Sequence, residues 1–372
     1  MRTTMLSIAL MVAVSPHVVA VGDAEREVLL PYVTLVQPPS LPKIEAKPLL
    51  DQRIIEIEQL IDELSGLKSE DIGLLKSSVW GEVFLPVGDF GPFGERSENK
   101  FKSFAPLQKL VEIGPDALPF LLEALEEARP TQLVVKAEES RGAIAGGMAF
   151  DEVLHGNPAN PTERYILKLN RAPFTTSIRR DKFFVENDLE SYRVKVGDVC
   201  LVIIGQITGR DYECLFHNHV KSLSVVVNSP VSRKSIRDKV REIWKSKNPR
   251  QKVFESLLLD YSTRGVLQGN SLDDWSIGND FQVAAAMRLL YYYPEESAET
   301  ISKRLSSLEV SESEDFVDQC VQNGVRSNEF IEATAWSKNK HIQAALATLA
   351  TRAKEREVIR ALKRAGFDVP AE

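Results

Sequence analysis

Three times in this chain a proline stands between two short stretches of helical periodicity, and that punctuation restricts the fold more than any other feature. Around "LVEIGPDALPFLLEAL", residues 110–125, Leu107, Leu110 and Val111 form one apolar stripe, Gly114-Pro115 interrupts it, and Leu118, Leu121, Leu122 and Leu125 form the next. Proline at a first helical position gives up an N–H that has no partner there, and Asp116 complements the positive helix end. Pro249 separates Val240, Ile243 and Trp244 from Val253, Leu257 and Leu258, and Pro294 separates Val283, Met287 and Leu290 from Ala298, Ile301 and Leu305. A last pair runs through Ile342, Ala345, Leu346 and Leu349, then Val358, Ile359, Leu362 and the terminator Gly366. Such spacing predicts helix hairpins, and a hairpin that cannot bury both faces alone needs neighbours.

The same periodicity predicts an amphipathic helix at Leu50, Ile54, Ile57, Ile61 and Leu64, with acidic residues off the stripe and Gly66 as its stop. "VGDVCLVIIGQITG", Val196 to Gly209, suits a buried strand by composition. Asp198 as N-cap and Gly209 as terminator turn the expectation to helix. Between Thr131 and Lys195 the helical period lapses, and "QLVVKAE", "SRGAIAGG" and "MAFDEVL" suggest a β-hairpin or two short strands around a turn. Pro249 and Pro294 lie 45 residues apart, within the roughly 40–47 of HEAT-type repeats. On these residues the chain resembles a degenerate HEAT-like repeat protein: "LVEIGPDALPFLLEAL" looks like a repeat core, and "VGDVCLVIIGQITG" is similar to the HEAT-like repeats of bilin-lyase proteins. The order of segments, "GGMAFDEVLHGNPANP" included, also resembles exported bacterial proteins of unassigned activity. The resemblance implies a mostly α fold, an irregular α-solenoid of HEAT-like helix pairs with a small β-hairpin insertion, and it implies no chemistry.

The first residues place the chain in a compartment. Arg2, the apolar run Met5–Val14 and the small residues ending at Ala20 have the form of a cleavable secretory signal, too short to span a bilayer. Its removal takes the formal charge from −7 to −8. A periplasmic or extracellular protein of that charge is a poor general binder of nucleic acid or anionic membranes. No later stretch is long enough to span after signal removal. The expected organisation is a signal at 1–20, a Pro-rich flexible lead at 21–48, a helical segment at 49–130, the β-containing insertion at 131–195 and a helical array at 196–372. Three cysteines exclude a disulfide-built scaffold. Cys200 and Cys214 are close enough in sequence to pair, or both are free thiols.

Candidate sites are few. Cys214, His217 and His219 form the one concentration of metal-capable side chains, without the second cluster that a zinc site needs. "HGNPANPTE" presents His155, Asn157 and Asn160 on two proline-fixed turns, as a binding loop or as a structural anchor. The run Arg233–Lys252 holds nine basic residues against two acidic ones, so that Lys239, Arg241, Trp244 and Lys245 are a candidate surface for an anionic glycan or acidic protein; a solvated helix face is the alternative. "GAIAGGM" lacks the Lys-Ser/Thr of a phosphate loop, and no nucleophile-elbow, zincin or calcium-loop pattern occurs. No motif calls for a cofactor. A stacked helical array suits holding a macromolecule. The expectation is therefore an exported, non-catalytic scaffold with a protein partner. An enzyme or metal-dependent protein with a site near His155, His217 and His219 is the alternative, and an anionic-glycan binder a further one.

Overall fold

Helical periodicity becomes helix wherever an apolar stripe finds a neighbour to cover it. The computed structural model describes residues 33–35, 42–46, 48–68, 83–89, 104–136, 188–189, 191–210, 212, 215–218, 224–227, 229–265, 279–308, 327–354 and 356–369. Strand β1 (Val33–Leu35) precedes helix α1 (Asp51–Glu63), which closes in a 3-10 turn at Leu64–Gly66. Ile57, Ile61 and Leu64 of the expected stripe are buried, whereas Leu50, at the N-cap, is 77% exposed. A small hairpin, β2 (Val83–Phe84) and β3 (Gly88–Asp89), follows.

The Gly-Pro punctuation then acts differently from the expected hairpin. Helix α2 (Ala105–Ile113) runs into a 3-10 turn at Gly114–Ala117 and on into α3 (Leu118–Glu123). Helix α2 packs against α1 and against a later helix, α4 (Val196–Thr208), while α3 also packs on α4. Each finds its cover in another element, with a single turn of 3-10 helix, entered through Gly114 at φ 70°, between them.

Strand β4 (Pro130–Lys136) realises the "QLVVK" expectation, but its partner is distant in sequence. After β5 (Asp188–Leu189), strand β6 (Ser191–Lys195) pairs antiparallel with β4, with Val134 opposite Arg193 and Lys136 opposite Ser191. The observed pairing is long-range, joining the two ends of the supposed insertion. Strands β7 (Leu215–Asn218) and β8 (Ser224–Val227) extend β5 into a three-stranded antiparallel sheet of order β5-β8-β7.

Between β6 and β7 lies α4, whose every residue is buried. The helix expectation for this stretch holds, and Gly209 stops it in the left-handed conformation at φ 70°. Asp198 is corrected from N-cap to third helical residue: Lys195 occupies the cap, and its backbone N–H donates to Asp198 Oδ2 at 2.9 Å.

From residue 234 the described elements are helices apart from one short strand, and proline opens two of them as expected. Helices α5 (Lys234–Trp244) and α6 (Pro249–Ser262) are followed by β9 (Thr263–Gly265), which pairs with β1. Then come α7 (Asn279–Tyr292), α8 (Pro294–Ser307), α9 (Ser327–Ala335), α10 (Lys340–Ala350) and α11 (Arg356–Arg364). Helix α7 packs on α6, α8 and α9, α9 packs on α10 and α11, and α8 packs on α10. The molecule is mostly helical with small antiparallel sheets. One continuous apolar core runs through it, from Ile44 in the Pro-rich lead to Val369. No helix among the described residues is long and apolar enough to cross a membrane.

Candidate functional site

Polar chemistry inside the core gathers where α4 ends. Arg210, one residue past the Gly209 stop, turns its guanidinium inward, where it donates to Asp260 Oδ2 at 2.5 Å and Oδ1 at 3.2 Å and to Ser256 Oγ at 2.9 Å. Both partners lie on α6. The side chains of Arg210 and Asp260 are 0% and 1% exposed. Further donation goes to the carbonyls of Thr208 and Gly209, and the cation lies 5.7 Å from the ring centroid of Trp244. Trp244 Nε1 in turn donates to the Tyr212 hydroxyl at 2.9 Å. A buried charge pair of this kind survives because hydrogen bonds replace the water that each group has lost.

A second buried cation continues the cluster. Arg288 on α7 donates through Nε to the Gln206 carbonyl at 2.6 Å and through Nη1 to the Ala284 carbonyl at 2.9 Å. Its guanidinium lies 4.7 Å from the Phe84 ring centroid, and the Leu85 N–H donates to Gln206 Oε1, so that the β2–β3 hairpin is docked onto α4 and α7 together. At the other end of α4, burial pushes the Asp198 carboxyl above its usual range, against donation from the Lys195 N–H and the Tyr192 hydroxyl. Cys200 is a buried free thiol whose burial raises its pKa far above the ordinary value, which removes it from nucleophilic chemistry near neutrality. These groups fasten α4 to its neighbours. Their geometry is that of internal bracing.

The basic run is largely committed to the same end. Trp244 is 1% exposed, completing a stripe with Ile236, Val240 and Ile243, and this corrects its assignment to a ligand-facing surface. Arg241 donates to the carbonyls of Leu122 and Glu123 at the end of α3 and pairs with Glu126 at 2.5 Å; Arg237 lies 3.4 Å from the same carboxylate. Lys239 pairs with Glu242 at 2.9 Å, Lys234 with Asp238, and Arg250 with Asp116 at 3.5 Å. Lys245 is exposed. The signal for burial was present in the sequence, since residues 236, 240, 243 and 244 share one helix face.

Of the other sequence candidates, His217 lies on β7 with its backbone opposite Val225. Cys214, His219, His155, Asn157 and Asn160 lie outside the described residues. Among the described residues no group of three or more His, Cys, Asp or Glu is arranged to hold a metal ion.

The solvent-facing charge that sequence reading missed lies at the C-terminal end. Lys338, Lys340, Arg356 and Lys363 are exposed on and beside α10 and α11, whereas Arg352 is drawn back to the carbonyls of Ser306 and Leu308, and Arg364 pairs with Glu332. Residues 352–364 hold six basic residues against Glu355 and Glu357, so the excess is present in the sequence, and only the fold separates the side chains that face solvent from those drawn into internal bonds. No family model, curated protein or solved structure matches the chain. Packing and surface chemistry alone therefore carry the functional reading.

Proposed function

We propose that this chain is an exported, non-catalytic interaction protein that presents a short, irregular α-solenoid of HEAT-like helix pairs to a protein partner. The observation that carries the reading is the order of packing in the C-terminal half. Helix α7 lies against α9 and α9 against α11, while α8 lies against α10, so that alternate helices form two layers. Layers of this kind bury their shared faces between successive pairs and leave a broad outer surface, which suits a macromolecule. The Pro249 and Pro294 helix starts support the same register. Export is supported by the signal-like residues 1–20.

The exposed basic residues of α10 and α11 suggest that the partner's contacting face is acidic. The test is crosslinking of the full chain in its native host, followed by mass spectrometry. Recurrent links from Lys340 and Lys363 to one other protein, weakened by Arg356→Glu together with Lys363→Glu, are the expected result. Links confined to the chain itself, or retention of a leader-fused reporter inside the cytoplasm, would overturn the reading.

A further inference from the structure

Three helices end at one place. Tyr291 stands in the last turn of α7, Glu112 in the last turn of α2, and Trp336 is the residue after α9. Tyr291 links them, since its ring centroid lies 5.3 Å from that of Phe84, 5.2 Å from that of Tyr292 and 6.3 Å from that of Trp336. The Tyr292 hydroxyl, on the Val111 carbonyl at 2.5 Å, fixes the end of α7 beside the end of α2. A helix C-terminus carries partial negative charge and favours a cation in its last turn. None of the three helices has a basic residue there.

Phe84 and Tyr292 are buried, whereas Tyr291 and Trp336 are half-buried. The Trp336 indole is held by its N–H, which donates to the Ala333 carbonyl at 2.7 Å, and its plane is inclined 49° to that of Tyr291. Glu112, also half-buried, accepts the Gln108 side-chain amide at 3.0 Å. No described cation pairs with it, neither Lys109 on the same helix nor Lys338, two residues past Trp336. Burial, together with the charge of Glu112, raises the Tyr291 pKa, so that carboxylate acts on the phenol. Two cations of the neighbouring core are committed elsewhere: Arg288, behind Phe84, to the carbonyls of Gln206 and Ala284, and Arg250 to Asp116 and the Tyr292 carbonyl.

We propose that Tyr291, Trp336 and Glu112 form a binding site for a quaternary ammonium group, carried by a small molecule of choline type. Ring faces attract a cation through their quadrupole, and the carboxylate and the three helix ends add negative potential at the same point. An alkylated ammonium is the favoured cation because its charge lies under methyl groups that hold water weakly. A lysine ammonium would first have to shed strongly bound water. The site shares no residue with the basic surface of α10 and α11, so it does not rest on the protein-partner reading.

The test is calorimetric titration of the full chain with choline chloride, against dimethylbutanol as the uncharged carbon isostere and sodium chloride as the ionic-strength control, with tryptophan fluorescence followed in parallel. Choline is expected to bind with a Kd on the order of 1 mM or tighter, about tenfold better than the alcohol. Glu112→Gln keeps an acceptor for Gln108; it is expected to weaken choline about three- to tenfold, with Tm and the affinity for the alcohol unchanged. Trp336→Phe is expected to remove the fluorescence response while some binding persists. Equal affinity for choline and the alcohol, or no heat at about 50 mM choline, would overturn the proposal. So would a choline affinity that is the same in Glu112→Gln chains, or a fluorescence response that survives in Trp336→Phe chains.

Discussion

The ring of Tyr292 occupies the space that a side chain on residue 114 would need: a β-carbon on Gly114 would sit 2.3 Å from its Cε1. The Tyr292 hydroxyl reaches one residue group further and donates to the Val111 carbonyl at 2.5 Å. The Gly-Pro break is therefore the seat of a tyrosine from α7 as well as a turn. Gly114 also has φ 70°, so Gly114→Ala adds overpacking to backbone strain and is expected to cost roughly 2–4 kcal/mol. Tyr292→Phe keeps the ring and loses one buried hydrogen bond, costing roughly 1–2 kcal/mol. Urea denaturation of both variants checks the order; an equal cost would show that the close approach is unimportant.

Arg210 and Asp260 give an internal test of what bracing is worth. Removing one partner leaves the other charged and buried, so Arg210→Met and Asp260→Leu are each expected to cost roughly 3–5 kcal/mol. The double variant replaces the pair by apolar volume and is expected to cost less than either alone. Additive losses in a double-mutant cycle would sink the pairing argument.

Asp198 makes stability depend on pH in an identifiable direction. Because burial raises its pKa, the folded chain holds this proton more tightly than the unfolded chain does. Stability contributed by the protonated carboxyl is full below the ordinary aspartate range and is lost as pH rises through the raised folded value. Asp198→Asn keeps an acceptor for Lys195 and Tyr192 and removes the titration. The Tm of the variant relative to wild type should therefore climb as pH rises from the acid side, and a constant difference would contradict the assignment.

The charges of α5 predict a separation of stability from anion binding. Arg241→Ala loses the bonds to Leu122 and Glu123 that close α3 and should lower Tm by a few degrees. Lys245→Glu, at an exposed position, should leave Tm unchanged. Retention on heparin should be the same for both variants and wild type. Weaker retention of either would return α5 to the list of binding surfaces.

Local signals were legible where the partner did not matter. The stripes of α1 and α5 to α8, and the proline starts at 249 and 294, follow from periodicity and from the chemistry of a first helical turn. What failed depended on where a segment's cover lies. Two apolar stripes either side of Gly114-Pro115 fit a hairpin, and only the presence of α4 decides that each packs elsewhere. Strand β4 was visible in "QLVVK", but pairing with β6 across more than fifty residues leaves no local trace. Ile44 was one apolar residue among prolines, and nothing near it in sequence names Asn248 and Gln251, whose side chains bond its backbone. Of the sequence-stated site candidates, Trp244 was misassigned because its charged neighbours outweighed its place on the apolar face.

Helix α4, enclosed on every side, sets a limit on how this architecture can vary. An array of stacked pairs lengthens by duplication at either end, since each end presents the same kind of face. A helix already wrapped by α2, α3 and α6 offers no such end. Engineered additions of helical segments should therefore be tolerated away from α4 and rejected beside it.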